Sequence, residues 1–79
     1  MITLTNLVKE GNLIRTDYYG YDNEKGHIVF DISADEVVAK VYSKTESDKS
    51  YPFFAKAVIA IRRLIEYNKF PTEYTFSWY

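Results

Sequence analysis

The segment His27-Ile28-Val29-Phe30-Asp31-Ile32 sets Ile28, Phe30 and Ile32 on one side of an extended chain and His27, Val29 and Asp31 on the other. A period of two is the mark of a strand with one face in a core. Further along, the period changes. Phe54, Ala57, Val58, Ile61, Leu64, Ile65 and Asn68 recur every third or fourth residue and crowd into an arc of ~120° at helical spacing, with Lys56, Arg63 and Glu66 opposite. The chain therefore reads as sheet up to Tyr42 and as one helix from about Phe54.

Working outward, Ile2, Leu4 and Val8 share one parity and predict a first strand. Lys9-Glu10-Gly11 reads as a three-residue hairpin loop, with Gly11 supplying a left-handed position. A second strand is expected from Asn12 to Gly20, and a longer polar loop from Tyr21 to Gly26. Ser33-Ala34-Asp35-Glu36 reads as a tight connection into a fourth strand, Val37 to Tyr42. Lys44 to Lys49 is a polar connector. Ser50 is the expected helix cap, and Pro52 falls in the first turn, where its missing N–H costs nothing. Pro71, soon after Asn68, stops the helix. Tyr74, Phe76 and Trp78 then alternate as a last strand.

Four hairpin-linked strands alternate up and down, and the helix returns the chain so that the last strand runs down. Beside the first strand it is antiparallel; beside the fourth it is parallel. Antiparallel pairing is the commoner choice, so the expected fold is α+β: an antiparallel four- to five-stranded sheet, β-β-β-β-α-β, in the order 5-1-2-3-4, with one helix packed on one face.

The 79 residues hold one domain, 1–79, without repeats or linkers. There is no cysteine, so disulfides cannot stiffen so small a scaffold. The lone His27 falls short of the four Cys or His ligands of a structural zinc site. No metal and no cofactor is expected. Met1 to Val8 carries no basic leader, and the longest apolar run, Ala57 to Ile61, is far below the ~20 residues of a membrane span. The expected setting is cytoplasmic, away from membranes. Net charge is -1, which gives no overall field for nucleic acid. The distribution is uneven: residues 1–48 carry five Lys/Arg and nine Asp/Glu, and residues 49–79 carry five and two.

Three constellations could carry chemistry. If Ile28 pairs with Tyr18, and Ile32 with Val37, then Tyr19, His27 and Tyr42 form a row on the face away from the helix. A histidine between two phenols can act as a general acid or base, although cross-strand aromatic contacts form routinely for stability. Asp17 and Asp31 share that face, where an Arg15–Asp31 pair accounts for them more simply than an acid–base pair in a cleft. Lastly, eight Tyr, five Phe and one Trp are an unusual aromatic load, and Tyr is favoured at protein interfaces. No catalytic residue is assigned.

Gly11-Asn12-Leu13-Ile14, Tyr18-Tyr19, Glu24-Lys25-Gly26-His27-Ile28 and Trp78-Tyr79 together resemble a group of small uncharacterised bacterial proteins of similar length. The resemblance implies a bacterial, intracellular setting and brings no catalytic residues. The sequence reading is of a non-enzymatic protein-interaction module. Its partner is a second copy, as a homodimer, or another protein, held on the sheet face presenting Leu13, Tyr19, His27, Val29, Val38 and Tyr42. One alternative is a weak nucleic-acid-binding module using Lys56, Arg63 and Tyr67 on the helix's outer stripe. Another is a small enzyme centred on His27.

Overall fold

Extended, β-branched-rich segments separated by turn residues form four consecutive strands in the computed structural model, which describes residues 1–77. These are β1 (Ile2–Glu10), β2 (Leu13–Tyr19), β3 (Lys25–Asp31) and β4 (Glu36–Val41). Helix α1 (Pro52–Tyr67) and a short β5 (Tyr74–Phe76) complete the fold. The sheet order is β4-β3-β2-β1-β5, with every pairing antiparallel. This is the predicted α+β topology, the last strand lying beside the first. Trp78, expected to continue that strand, lies outside the described residues.

The helix covers one face of the sheet. Ile2, Leu4, Leu7, Ile14, Tyr18, Ile28 and Phe30 from the strands, and Phe53, Phe54, Ala57, Ala60, Ile61 and Leu64 from α1, form one buried cluster closed by Phe76. The helix stops at Asn68, which takes the left-handed conformation (φ 55°, ψ 44°). Its N–H and that of Lys69 return to the carbonyls of Ile65 and Leu64, satisfying two acceptors that the helix end leaves open.

Four local expectations are corrected. First, the β1–β2 loop has two residues, because Glu10 pairs with Leu13. Gly11 does take a positive φ, 58°. Second, β1 carries a bulge between Thr5 and Val8, where Asn6 adopts φ 53°. The extra residue reverses the alternation, so Leu7 enters the core and Val8, predicted inward, is exposed. The Thr16 hydroxyl, opposite the bulge, reaches the Thr5 carbonyl at 3.1 Å.

Third, β2 and β3 pair two residues away from the expected register: Ile28 lies opposite Thr16, and Tyr18 opposite Gly26. The Tyr18 ring fills the space above Gly26, where a β-carbon would stand 2.2 Å from it. Gly26 is thus the residue that lets a fully buried tyrosine cross the sheet.

Fourth, Val37 pairs with Phe30 rather than Ile32, and a second bulge comes next, so that Val29 faces Ala39 and His27 faces Val41. The parity of β4 reverses there. Lys40 and Tyr42, predicted outward by strict alternation, turn to the helix side. Tyr42 stacks on Tyr51 at 5.8 Å and meets Phe54 edge-on at 5.2 Å.

Candidate functional site

The face of the sheet away from α1 is built in rows fixed by the strand pairings. Thr5, Asp17, His27 and Val41 form one row from β1 to β4, and Val8, Arg15, Val29 and Ala39 form the next. Tyr19 lies opposite Thr3 and Lys25, and Leu13 opposite Glu10 and Asp31. The predicted row of Tyr19, His27 and Tyr42 is therefore absent. His27 has Asp17 and Val41 as neighbours because of the β2–β3 register and the β4 bulge. Of the six residues assigned to this face, Leu13, Tyr19, His27 and Val29 are on it. Tyr42 is in the aromatic cluster on the helix side, and Val38 is the extra residue of the bulge at the sheet margin.

The polar centre of the face is a three-residue chain. His27 Nδ1 lies 2.8 Å from Asp17 Oδ1, and Asn6 Nδ2 donates to Asp17 Oδ2 at 3.1 Å. The β1 bulge aims Asn6, because its positive φ carries the side chain across to β2. Burial works to raise the Asp17 pKa. The hydrogen bonds from Asn6 and His27 and the nearby charge of Lys25 outweigh it, holding the carboxyl below its ordinary range. A carboxylate on Nδ1 orients the imidazole and leaves Nε2 as its outer nitrogen. Such a pair can accept a proton at Nε2, but the His27 side chain stands 42% exposed on an open sheet face. Among the described residues no three His, Cys, Asp or Glu side chains gather as metal ligands.

The expected Arg15–Asp31 pair does not form, since Asp31 lies opposite Leu13. Arg15 Nε instead approaches Glu10 at 3.8 Å with both side chains well exposed, a geometry that contributes little. Asp17 and Asp31 are four positions apart along the sheet and do not meet.

The apolar part of the face is uneven. Val29 is only 6% exposed, whereas Val8 and Val41 are 48% and 65% exposed. On β4 five of the six residues are exposed, including Val38, Ala39 and Val41. A hollow of about 290 Å³ is lined by Val37, Val38, Ala39 and Lys40.

On the helix's outer stripe, the Arg63 guanidinium lies 5.3 Å from the Phe76 ring, and Lys56 is half-buried. Neighbouring Arg62 lies over Phe30 and reaches Asp35 at 3.2 Å. Tyr67 is exposed. Both arginines are exposed, and each also lies over one of the protein's own rings. Among the described residues no helix is long and apolar enough to cross a membrane.

One polar cluster was missed by sequence reasoning. Glu46, in the connector before α1, is buried. Its Oε1 accepts from the Tyr18 hydroxyl at 2.6 Å and from Ser43 Oγ at 2.8 Å. Its Oε2 accepts from the backbone N–H groups of Phe53 and Phe54 at 2.7 and 2.9 Å. The N-cap residue is Tyr51 and makes no side-chain cap bond; Ser50, the expected cap, is instead paired with Ser47 through backbone bonds. Glu46 thus caps the helix from a distance, as a negative group at the positive end of its dipole. Burial, with the bond to Glu46, pushes the Tyr18 hydroxyl well above its ordinary pKa. The only sequence signal was negative: Tyr51, immediately before Pro52, is not one of the short polar residues that cap a helix with their own side chain.

Comparison of the chain with protein-family models, curated proteins and solved structures finds no match in any of the three.

Proposed function

We propose that this chain is a non-enzymatic protein-interaction module that self-associates through the sheet face opposite the helix, working in the cytoplasm of a bacterium. The observation that carries the reading is β4 and its margin of the face: Val38, Ala39 and Val41 are exposed side by side, an apolar strip on a strand that already borders solvent. A sheet with one helix covers only one of its two faces, and adjoining exposed apolar side chains call for a partner. Size supports it. A molecule 31 × 24 × 20 Å across offers a sheet face on the order of 700 Å², near the ~800 Å² per partner of a standard interface. Lys25, Asp31 and Glu36 on the same side provide the polar rim that such interfaces carry. The cytoplasmic placement draws on the cysteine-free composition, the bacterial one on the resemblance.

Val41→Lys tests this without touching the core, because Val41 is exposed in the single chain. Wild type is expected to sediment and scatter as a dimer at high micromolar concentration. Val41→Lys is expected to be monomeric with an unchanged circular dichroism spectrum. A monomeric wild type ends the proposal. Val29, central on the face, is the worse probe: at 6% exposure a lysine there disturbs the chain's own fold.

A further inference from the structure

We infer that self-association through the sheet face is controlled by pH: protonation of His27 tightens it, because the face is acidic and meets its own copy. This rests on the self-association reading and names how that contact is regulated. His27 lies directly opposite Val41, and Val41 belongs to the exposed strip of Val38, Ala39 and Val41. A partner that covers the strip therefore covers His27 as well.

The strand pairings fix which charges share the face. Glu10, Arg15, Asp17, Lys25, Asp31 and Glu36 all point to the same side as His27. Four acids against two bases leave the outward side of β1 to β4 at -2 while the ring is neutral. A two-fold contact uses the same patch on both copies, so -2 meets -2 whatever the rotation between them. Protonated His27 lowers each face to -1. His27 is the chain's one histidine, and histidine is the side chain whose ordinary titration falls between pH 5 and 8.

The groups around His27 decide what the added proton does. From β2, Asp17 Oδ1 stands 2.8 Å from Nδ1, and Arg15 takes the diagonal position. On β3 itself Lys25 is two residues away on the same side. From β4 come Val41 and, beyond it, Ala39, neither of which titrates. From β1 comes Asn6, whose Nδ2 holds the other Asp17 oxygen at 3.1 Å. With a neutral ring, the Asp17–His27 pair carries a full negative charge into the contact. A proton taken up at Nε2 makes it an ion pair without net charge. Covering a compensated pair costs less than covering a carboxylate that lacks its counter-charge. Local pairing and the charge of the whole face thus act in one direction: lower pH, tighter dimer.

The size of the effect follows from the face charges. Two unit charges ~10 Å apart, the spacing of packed sheets, shift an equilibrium about twofold in the dielectric of water. Protonation of both copies reduces the product of the face charges from about four units to about one, which is roughly an eightfold tightening at low ionic strength.

Sedimentation equilibrium at low ionic strength, at about pH 8 and about pH 5.5, tests this. Wild type should dimerise roughly eightfold more tightly at the lower pH. His27→Gln keeps a polar group beside Asp17 but cannot titrate, and should hold the weaker constant at both. Glu36→Gln and Glu66→Gln remove the same charge from different places, the first from the face and the second from an exposed position on α1. At the higher pH, Glu36→Gln should tighten the dimer as protonation does, and Glu66→Gln should leave it as in wild type. A wild-type dimer indifferent to pH or loosened by acid overturns pH control and leaves self-association standing. A His27→Gln dimer that still responds, or equal effects of Glu36→Gln and Glu66→Gln, overturns it in the same way. A wild type monomeric at both pH values overturns pH control and the self-association reading together.

Discussion

Replacing Glu46 with Ala removes one side chain and strands four donors: the Tyr18 and Ser43 hydroxyls and the N–H groups of Phe53 and Phe54. Hydrogen bonds to a charged group are each worth ~1.5–3 kcal/mol, and a buried donor left without a partner costs ~1–3 kcal/mol. These figures do not add for one side chain. Water can also reach helix-end N–H groups once the carboxylate is gone, so loss of a cap alone costs only ~0.5–2 kcal/mol. The buried Tyr18 hydroxyl has no such relief, and the Ser43–Ser50 loop loses its anchor. The expected cost is about 3–5 kcal/mol. Total stability for 79 residues is about 4–12 kcal/mol, so the variant stands at the edge of folding. A loss of about 3 kcal/mol lowers Tm by roughly 12–24 °C.

Thermal and urea denaturation monitored by far-ultraviolet circular dichroism measure the change. Ser50→Ala is the matched control, since Ser50 makes no side-chain cap, and should stay within about 0.5 kcal/mol of wild type. Glu46→Gln keeps an acceptor for the helix N–H groups but turns an amide toward two hydroxyls, and should fall between. If Glu46→Ala melts like wild type, or Ser50→Ala costs as much as Glu46→Ala, the remote cap is wrong.

Phe30→Ala should cost ~3–5 kcal/mol and leave the chain largely unfolded, because Phe30 sits at the centre of the buried cluster; an unchanged melting curve would contradict the inward parity of β3. Gly11→Val should destabilise more than Gly11→Asn, since at φ 58° no neighbouring atom obstructs a β-carbon and the cost is backbone strain alone; equal effects in urea titrations would contradict the turn geometry. The Asp17 pKa is depressed in the folded state. Its contribution is therefore present above the unfolded value of ~3.9 and lost as pH falls through the folded value. Asp17→Asn should flatten the acid limb of a stability–pH profile below about pH 4, and a limb parallel to wild type would refute the assignment.

The strand count, the helix and most of its buried stripe, the place of the last strand and the left-handed Gly11 were legible in the sequence, because each depends on local periodicity or on one residue's backbone preference; the stripe missed the buried Phe53 and Ala60 and included Asn68, which is the exposed C-cap. Parity beyond the bulges was not legible. From Leu4 strict alternation predicts Val8 inward, and from Val37 it predicts Val38 and Tyr42 outward; one extra residue in each strand inverts every later position. The spacing of Leu4 to Leu7 carried a trace of the first bulge. Nothing in Val37-Val38-Ala39-Lys40-Val41 marks the second, since every apolar residue there suits either face. Glu46 was hidden for a different reason. Its four partners come from β2, the connector and α1, and a polar loop residue gives no sign of being enclosed by segments distant in sequence.

The two bulges also decide what the outer face can do. Without the first, Asn6 would point into the core and Asp17 would lose the partner that holds its second oxygen. Without the second, Tyr42 and Lys40 would stand on the open face, and Ala39 and Val41 would turn inward. The face would then carry Tyr42, as the sequence reading placed it, with Lys40 beside it. The reversal moves the tyrosine into the cluster around Phe54, takes the lysine with it, and leaves small aliphatic side chains along the sheet margin. The same insertion that defeats alternation exchanges Tyr42 and Lys40 for small aliphatic side chains on that margin, the exposed strip of Val38, Ala39 and Val41 from which the self-association proposal is argued.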